Sequence, residues 1–336
     1  MPSTNQRSAR TDPQRERGER SDLYQEVTAR IIAELEAGRF PWVQPWGRAG
    51  TGTAPGLPRN ALTRRHYSGI NILILWGAII EHGYADQNWL TFRQALEAGG
   101  NVIKGERGVT VVYADRFVPK AEGERARRDG DDARAIHFLK RFTVFNIAQC
   151  EGLSVRPAVR GTDGQRERPG LSPDPVALPP REPVPAAEAL IAASGADFRI
   201  GGDKAFYVPS ADFIQVPPQP AFFAQIDYYR TALHELTHWT GHGSRLARDL
   251  ANRFGTHGYA REELVAEMGS AFLCASLGIA PTVRHADYLG HWLAVLKEDS
   301  RAIFRAASAA SRAAESLLGL AATDADGDST EGRVAA

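Results

Sequence analysis

The stretch Thr231-Ala-Leu-His-Glu-Leu-Thr-His-Trp-Thr-Gly-His242 restricts this chain more than any other. It holds His234-Glu235-Leu236-Thr237-His238, an H-E-x-x-H pattern. At ~3.6 residues per helical turn, positions four apart share a face, so the imidazoles of His234 and His238 can converge on one metal ion. Glu235, beside His234, is near enough to handle a water bound to that ion. Two neutral imidazoles, a carboxylate base and a Lewis-acid metal are the parts of a zinc hydrolase. The neighbours Ala232, Leu233, Leu236 and Trp239 are apolar. The helix is therefore buried, and other elements must close around it.

A catalytic zinc takes about three protein ligands and a water, and the pattern supplies two. Glu263 is the first candidate for the third. It lies in Arg261-Glu-Glu-Leu-Val-Ala-Glu267, on an apolar helix expected from Arg261 to Leu277. Carboxylates are rarely left on such a helix without a charged partner. Glu267, four residues on, shares that face, so one of the two carboxylates can bind metal while the other accepts a proton from a ligand imidazole. His242 is the second candidate: Gly241 continues an H-E-x-x-H-x-x-G beginning, but Ser244 stands where a metzincin has its third histidine. His257, in a Gly-flanked loop, is the third, or else a substrate-pocket residue or simply exposed. Glu235 is the expected general base, and Tyr259, His257 and Tyr228 are candidate oxyanion donors. The run Ala205 to Val208 would offer a strand edge to an extended peptide.

The 336 residues suggest two domains, and 43% hydrophobic with 24% charged content is that of a globular chain with a real core. Cys150 and Cys274 form no disulfide framework, which fits a reducing, cytoplasmic setting. Residues 1–20 lack the apolar segment of a signal peptide, and no apolar run reaches the ~18–20 residues of a membrane helix. No membrane partner is expected.

Residues 1–20 read as a disordered arm, 21–153 as the front domain, 154–184 as a Pro/Gly/Arg-rich linker, 185–322 as the rear domain and 323–336 as a disordered acidic tail. In front, Leu23, Val27, Ile31 and Leu35 recur at helical spacing, and a second helix is expected from Ile70 to His82. Asn101 to Tyr113 reads as a β-hairpin around a Lys104-Gly-Glu-Arg-Gly108 turn. Lys120 to Arg134 reads as a charged loop, and Phe138 to Ile147 as a strand. At the rear, Phe198–Ile200 and Ala205–Val208 look like paired strands, followed by Phe213–Val216. Helices are expected from Phe223 to Thr240, Arg261 to Leu277 and Tyr288 to Ala307. The fold class is α+β.

Trp42, Trp46, Trp76 and Trp89 lie in the front half with Tyr67 and Arg59, Arg64, Arg65, Lys104 and Arg107. Trp76, inside an apolar helix, reads as core. The others interleave rings with cations, as suits single-stranded nucleic acid.

Further motifs make the chain recognisable: Tyr67-Ser-Gly-Ile-Asn71, Trp89-Leu-Thr-Phe92, Gln94-Ala95, Gly99-Gly100, Lys104-Gly-Glu-Arg-Gly108, Ala211-Asp-Phe-Ile, Arg245-Leu246 and Glu262-Glu-Leu-Val-Ala-Glu-Met-Gly-Ser-Ala-Phe-Leu273. Together with the histidine motif they resemble the ArdC-type antirestriction proteins of conjugative plasmids, whose front domain is shared with TraC-type primases. The resemblance covers most of residues 22–320. It implies a front α+β domain that binds single-stranded DNA. It implies a rear zincin-like domain, gluzincin-type, with a small antiparallel sheet and active-site helices. It also implies protection of incoming plasmid DNA from restriction during conjugation. Two readings follow: an active peptidase that cleaves an unidentified protein of the recipient cell, or a protein that coats single-stranded DNA and whose metal site is structural or inert. Carried over, the zinc ligands (another divalent transition metal being possible) become His234, His238 and Glu263, with Glu267 behind them. Asn71 joins the expected DNA contacts.

Overall fold

The computed structural model describes residues 23–43, 56–117, 136–154, 181–253, 255–279 and 288–331, with isolated positions at 122, 125 and 128. The arm, most of the linker, Trp46, nearly all of the charged 120–134 insertion and the last five residues lie outside them.

Helix α1, Leu23–Glu36, buries Leu23, Ile31 and Leu35, the apolar stripe expected from spacing. A four-stranded sheet follows, in the order β1-β2-β5-β4. It consists of β1 (Arg59–Asn60), β2 (Asn88–Thr91), β4 (Val109–Phe117) and β5 (Ile136–Asn146). Helix α2, Ile70–His82, lies against β4. Asn71 locks them: its Nδ2 donates to Val112 O at 2.7 Å and its Oδ1 accepts from Val112 N at 2.9 Å. Helix α3, Phe92–Glu97, starts at a capping box in which Thr91 and Gln94 satisfy each other's backbone N–H.

The expected hairpin at 101–113 does not form. β3 (Asn101–Val102) pairs with β6 (Cys150–Glu151), while β4 pairs with β5, so the Lys104–Gly108 turn joins two sheets. Glycines make both approaches possible. A Cβ on Gly100 would fall 2.5 Å from Glu151 O, and one on Gly108 would fall 2.4 Å from Thr143 Cγ2.

The rear part begins with α4 (Pro185–Ala193) and a three-stranded sheet. Its strands are β7 (Asp197–Ile200), β8 (Phe206–Val208) and β9 (Phe213–Val216). The order is β7-β9-β8, so β7 and β8 do not pair as expected. β9 inserts between them, parallel to β7 and antiparallel to β8, and the sheet is mixed. Then come α5 (Asp227–Trp239), α6 (His257–Ser276), α7 (Leu289–Glu298) and α8 (Ala302–Glu331). The single helix expected over 288–307 is two. Asp299 caps α7 in an extended conformation (φ −138°, ψ 100°), and its carboxylate accepts from Arg301 N at 2.9 Å, starting the next helix. Helix α8 continues past 322, where the tail was expected to begin.

Front and rear share one hydrophobic core. Trp76 on α2 meets Phe272 on α6 edge to face at 5.7 Å, and Trp42 meets Trp292 on α7 at 5.5 Å. Thr28 Oγ1 donates to Ser300 O at 2.6 Å, and Gly69 N donates to Ser311 Oγ at 2.7 Å. Trp42 is therefore fully buried, and it offers no face to a base. The same burial removes Trp89 from any stacking role. The packing partner of Trp42, Trp292, is distant in the chain and could not be read from the sequence.

Candidate metal centre

The site forms where α5 crosses α6. Gly269 on α6 permits the close approach: a Cβ there would fall 2.5 Å from Thr237 Cγ2 and 2.8 Å from its Oγ1. Thr237 is itself buried, its hydroxyl bonded to Leu233 O at 2.8 Å. This packing puts His234 and His238 against Glu262, Glu263 and Glu267.

His234 Nε2 and His238 Nε2 lie 3.2 Å apart. Glu263 stands over both, with Oε2 at 3.6 Å from His234 Nε2 and Oε1 at 3.5 Å from His238 Nε2. These three residues present ligand atoms all within 4.8 Å of one another. The structure thus brings Glu263, rather than Glu262, Glu267 or His242, to the Nε2 pair. The far side of each ring faces another carboxylate: His234 Nδ1 lies 3.7 Å from Glu267 Oε1, and His238 Nδ1 lies 3.1 Å from Glu262 Oε1. Glu235, Glu263 and Glu267 are all buried.

Burial alone would lower the His238 pKa, but its hydrogen bonds to Glu262 and Glu263 raise it to about 10. Burial would raise Glu263, yet its bonds to the two imidazoles hold it far below the usual carboxylate range. Glu262 is lowered too, against burial, by His238 and Arg248. Two imidazoles and a buried carboxylate converging on one point, backed by further carboxylates, suit a small divalent cation.

Tyr259 stands at the edge of this centre. Burial, its contact with Tyr288 Oη at 3.5 Å and the neighbouring Glu263 carboxylate all raise its pKa, so the phenol keeps its proton. His242 is elsewhere, its Nδ1 sharing a hydrogen bond with Ser244 Oγ at 2.7 Å. His257 is half-exposed at the start of α6 and pairs with Glu298 at 2.9 Å instead of facing the site. Tyr228 is buried against Phe222 and Tyr229. Strand β8 lies at the edge of its sheet and alongside α5, where the sequence placed a peptide edge.

Sequence reasoning missed Arg248. Its Nη2 donates to Glu262 Oε1 at 2.8 Å and to Thr237 O at 2.6 Å, its Nε donates to Glu262 Oε2 at 3.0 Å, and its Nη1 reaches Thr240 Oγ1 at 2.9 Å. Helix α5 ends where expected, with Thr240 as its cap, and Gly241 just beyond makes room for this guanidinium: a Cβ there would sit 2.9 Å from Arg248 Nη2.

In the front part Arg64, Arg65, Lys104 and Arg107 are exposed, while Arg59 is half-buried and donates to Asn88 Oδ1 at 2.9 Å. Tyr67 is half-buried, and burial raises its pKa. Both polar ends of the Asn71 side chain are bonded to Val112. Sequence reasoning also missed an exposed pair, Tyr113 and Phe142, on the β4–β5 ribbon with ring centroids 6.5 Å apart. Strand alternation could have flagged it, since Tyr113 faces Lys140 across the ladder and Phe142 follows two residues later.

Residues 21–145 match the N-terminal domain of anti-restriction factor ArdC, and residues 185–309 match the zincin-like metallopeptidase family. The metal-free crystal structure of the antirestriction ArdC protein from plasmid R388 is 40% identical. It superposes with a TM-score of 0.70 over 90% of this chain and 99% of its own. The chain belongs to the ArdC antirestriction family. The Mn(II)-bound structure of the same R388 protein gives a TM-score of 0.68, also at 40% identity and with the same coverage of both chains. An uncharacterized protein of Sinorhizobium fredii, y4eC, is 38% identical over 88% of this chain and 91% of its own length. DNA primase TraC of Escherichia coli is 38% identical over 88% of this chain, which spans only 27% of that primase. This ArdC-family chain contains, among its described residues, no helix long and apolar enough to cross a membrane.

Proposed function

We propose that this ArdC-family protein binds single-stranded DNA and carries a metal-dependent peptidase centre made of His234, Glu235, His238 and Glu263. The convergence of the two Nε2 atoms and Glu263 carries this reading. When bound, a zinc or other divalent transition-metal ion supplies Lewis acidity to the scissile carbonyl and the attacking water. Glu235, buried beside His234, takes the proton of that water and returns it to the leaving amine nitrogen. Tyr259, held protonated at the edge of the site, donates to the oxyanion. The free edge of β8 receives the substrate backbone in extended form. The substrate is a protein of the recipient cell, met while incoming plasmid DNA is single-stranded.

Arg64, Arg65, Lys104 and Arg107 are the exposed cations available to phosphates, and Tyr113 and Phe142 the exposed rings available to bases. The descriptions of the front-domain family and of the TraC relatives support a DNA partner.

Glu235→Gln tests the catalytic part. The variant should bind Mn2+ or Zn2+ as the wild type does and lose protection of transferred DNA in a mating assay against a restricting recipient. Undiminished protection would leave a DNA-coating protein with a catalytically silent metal site. For the front part, affinity for an oligonucleotide should fall with salt, and each cation removed should flatten the log–log slope by about 0.7.

A further inference from the structure

We propose that Arg248 is a positioning residue of the metal centre, acting through Glu262 on the His238 imidazole. This rests on the reading of His234, His238 and Glu263 as metal ligands.

A ligand imidazole gives its Nε2 lone pair to a metal only if Nδ1 carries the proton, and an acceptor at Nδ1 fixes both tautomer and ring angle. For His238 that acceptor is Glu262, 3.1 Å away. Glu262 adjoins Glu263 in the chain, so left unheld it is a fourth carboxylate within reach of the same ion. Arg248 removes that freedom. Its Nη2 and Nε grip both Glu262 oxygens in a fork, 2.8 and 3.0 Å long, the geometry arginine provides and lysine does not.

The fork is itself anchored on the ligand helix. Arg248 donates to Thr237 O and Thr240 Oγ1 at the C-terminal end of α5, where carbonyls lack partners within the helix and a cation is favoured. The Arg248 side chain is only 11% exposed, and the bare backbone of Gly241 leaves the space it fills. The guanidinium therefore ties α5, which bears the histidines, to α6, which bears the glutamates, at the atom pair that orients His238.

The test is a double-mutant cycle on metal-free protein, titrated calorimetrically with Mn2+ and separately with Zn2+. Arg248→Met keeps the apolar stem and removes the fork. Arg248→Met and Glu262→Gln should each weaken binding by about 10- to 100-fold, and the double variant should lose no more than the worse single one. Arg248→Lys, with charge but no fork, should recover only part of the loss. Circular dichroism of the metal-free variants checks that the fold persists. If Arg248→Met does not fold, Arg248→Lys takes its place in the cycle. Unchanged affinity in the arginine variants, or losses that multiply in the double variant, would overturn the proposal. A wild-type protein that binds neither ion would instead overturn the metal reading on which it rests.

Discussion

Gly269→Ala is the smallest change that should damage the proposed metal centre without touching one of its proposed ligands. The added methyl would lie 2.5 Å from Thr237 Cγ2, whereas carbon atoms rest about 3.5–4.0 Å apart. Thr237 has little room to turn away, being fully buried with its hydroxyl tied to Leu233 O. Relief therefore requires α5 and α6 to part by about 1 Å, several times the ~0.2 Å tolerance of a metal–ligand distance. The proposed ligands are divided across that joint, His234 and His238 on one side and Glu263 on the other. Overpacking costs about 1–3 kcal/mol, and replacing a mid-helix glycine by alanine returns about 1 kcal/mol. The metal-free protein should consequently lose about 0–2 kcal/mol, a small drop in Tm. Affinity for Mn2+ or Zn2+ should fall by about tenfold or more, or ~1.4 kcal/mol. Adding Thr237→Ala removes the clashing atoms and should restore much of the affinity. Wild-type binding by Gly269→Ala, or no recovery in the double variant, would refute the argument that this contact sets the ligand spacing.

Trp292→Ala removes a fully buried ring that touches Trp42, Phe40 and Tyr288, and should cost about 3–5 kcal/mol. Because the core is shared, calorimetry should show the front and rear parts unfolding in one transition, and two independent transitions would contradict that. Asn71→Ala breaks both bonds to Val112 and should cost about 1–3 kcal/mol, while the salt dependence of oligonucleotide binding stays as in the wild type. A flattened salt slope would return Asn71 to the DNA interface. The hydrogen bond from Arg245 holds the Asp212 carboxyl below its ordinary range, against the opposing effect of burial. That stabilisation is full above the unfolded value of ~3.9 and disappears as pH falls through the lower folded value. Asp212→Asn should therefore flatten the acid side of a Tm-against-pH curve, and an unchanged acid limb would count against the pair.

The convergence of the candidate metal ligands was legible because its spacing is local. His234 and His238 follow from one helical turn, and Glu263 with Glu267 from the next buried helix, where carboxylates have no other reason to stand. What was not legible depends on contacts the sequence does not order. Glu262 and Glu263 are adjacent, and only the crossing of α5 over α6 decides which faces Nε2 and which faces Nδ1. Arg248 was passed over because arginine after a helix reads as surface, until Gly241 and Glu262 are seen to enclose it. The same limit misled the front half. Trp42, Trp89 and Asn71 have the composition of a binding face, but their partners are Trp292, Tyr84 and Val112, and packing uses them up. Strand order failed likewise, since β9 enters between β7 and β8 from further along the chain.

The shared core alters what two domains mean in this protein. Asn71 on α2 grips β4, the strand that carries Tyr113. One turn and a half along the same helix, Trp76 rests on Phe272 of α6. Helix α6 in turn carries Glu263 and Glu267, nine and five residues before that phenylalanine. The exposed rings of the front part and the glutamates of the rear thus hang on two helices joined by buried aromatic rings. Lys297 of α7 pairs with Glu36 of α1 at 2.7 Å, and Arg301 lies over the Tyr24 ring at 4.8 Å. These polar contacts are exposed and each contributes little. The tryptophan and phenylalanine contacts are the ones that join the halves, because burying such rings removes the most apolar surface from water. A strand of DNA on the front part and a protein at the metal centre would therefore be held by one folded body.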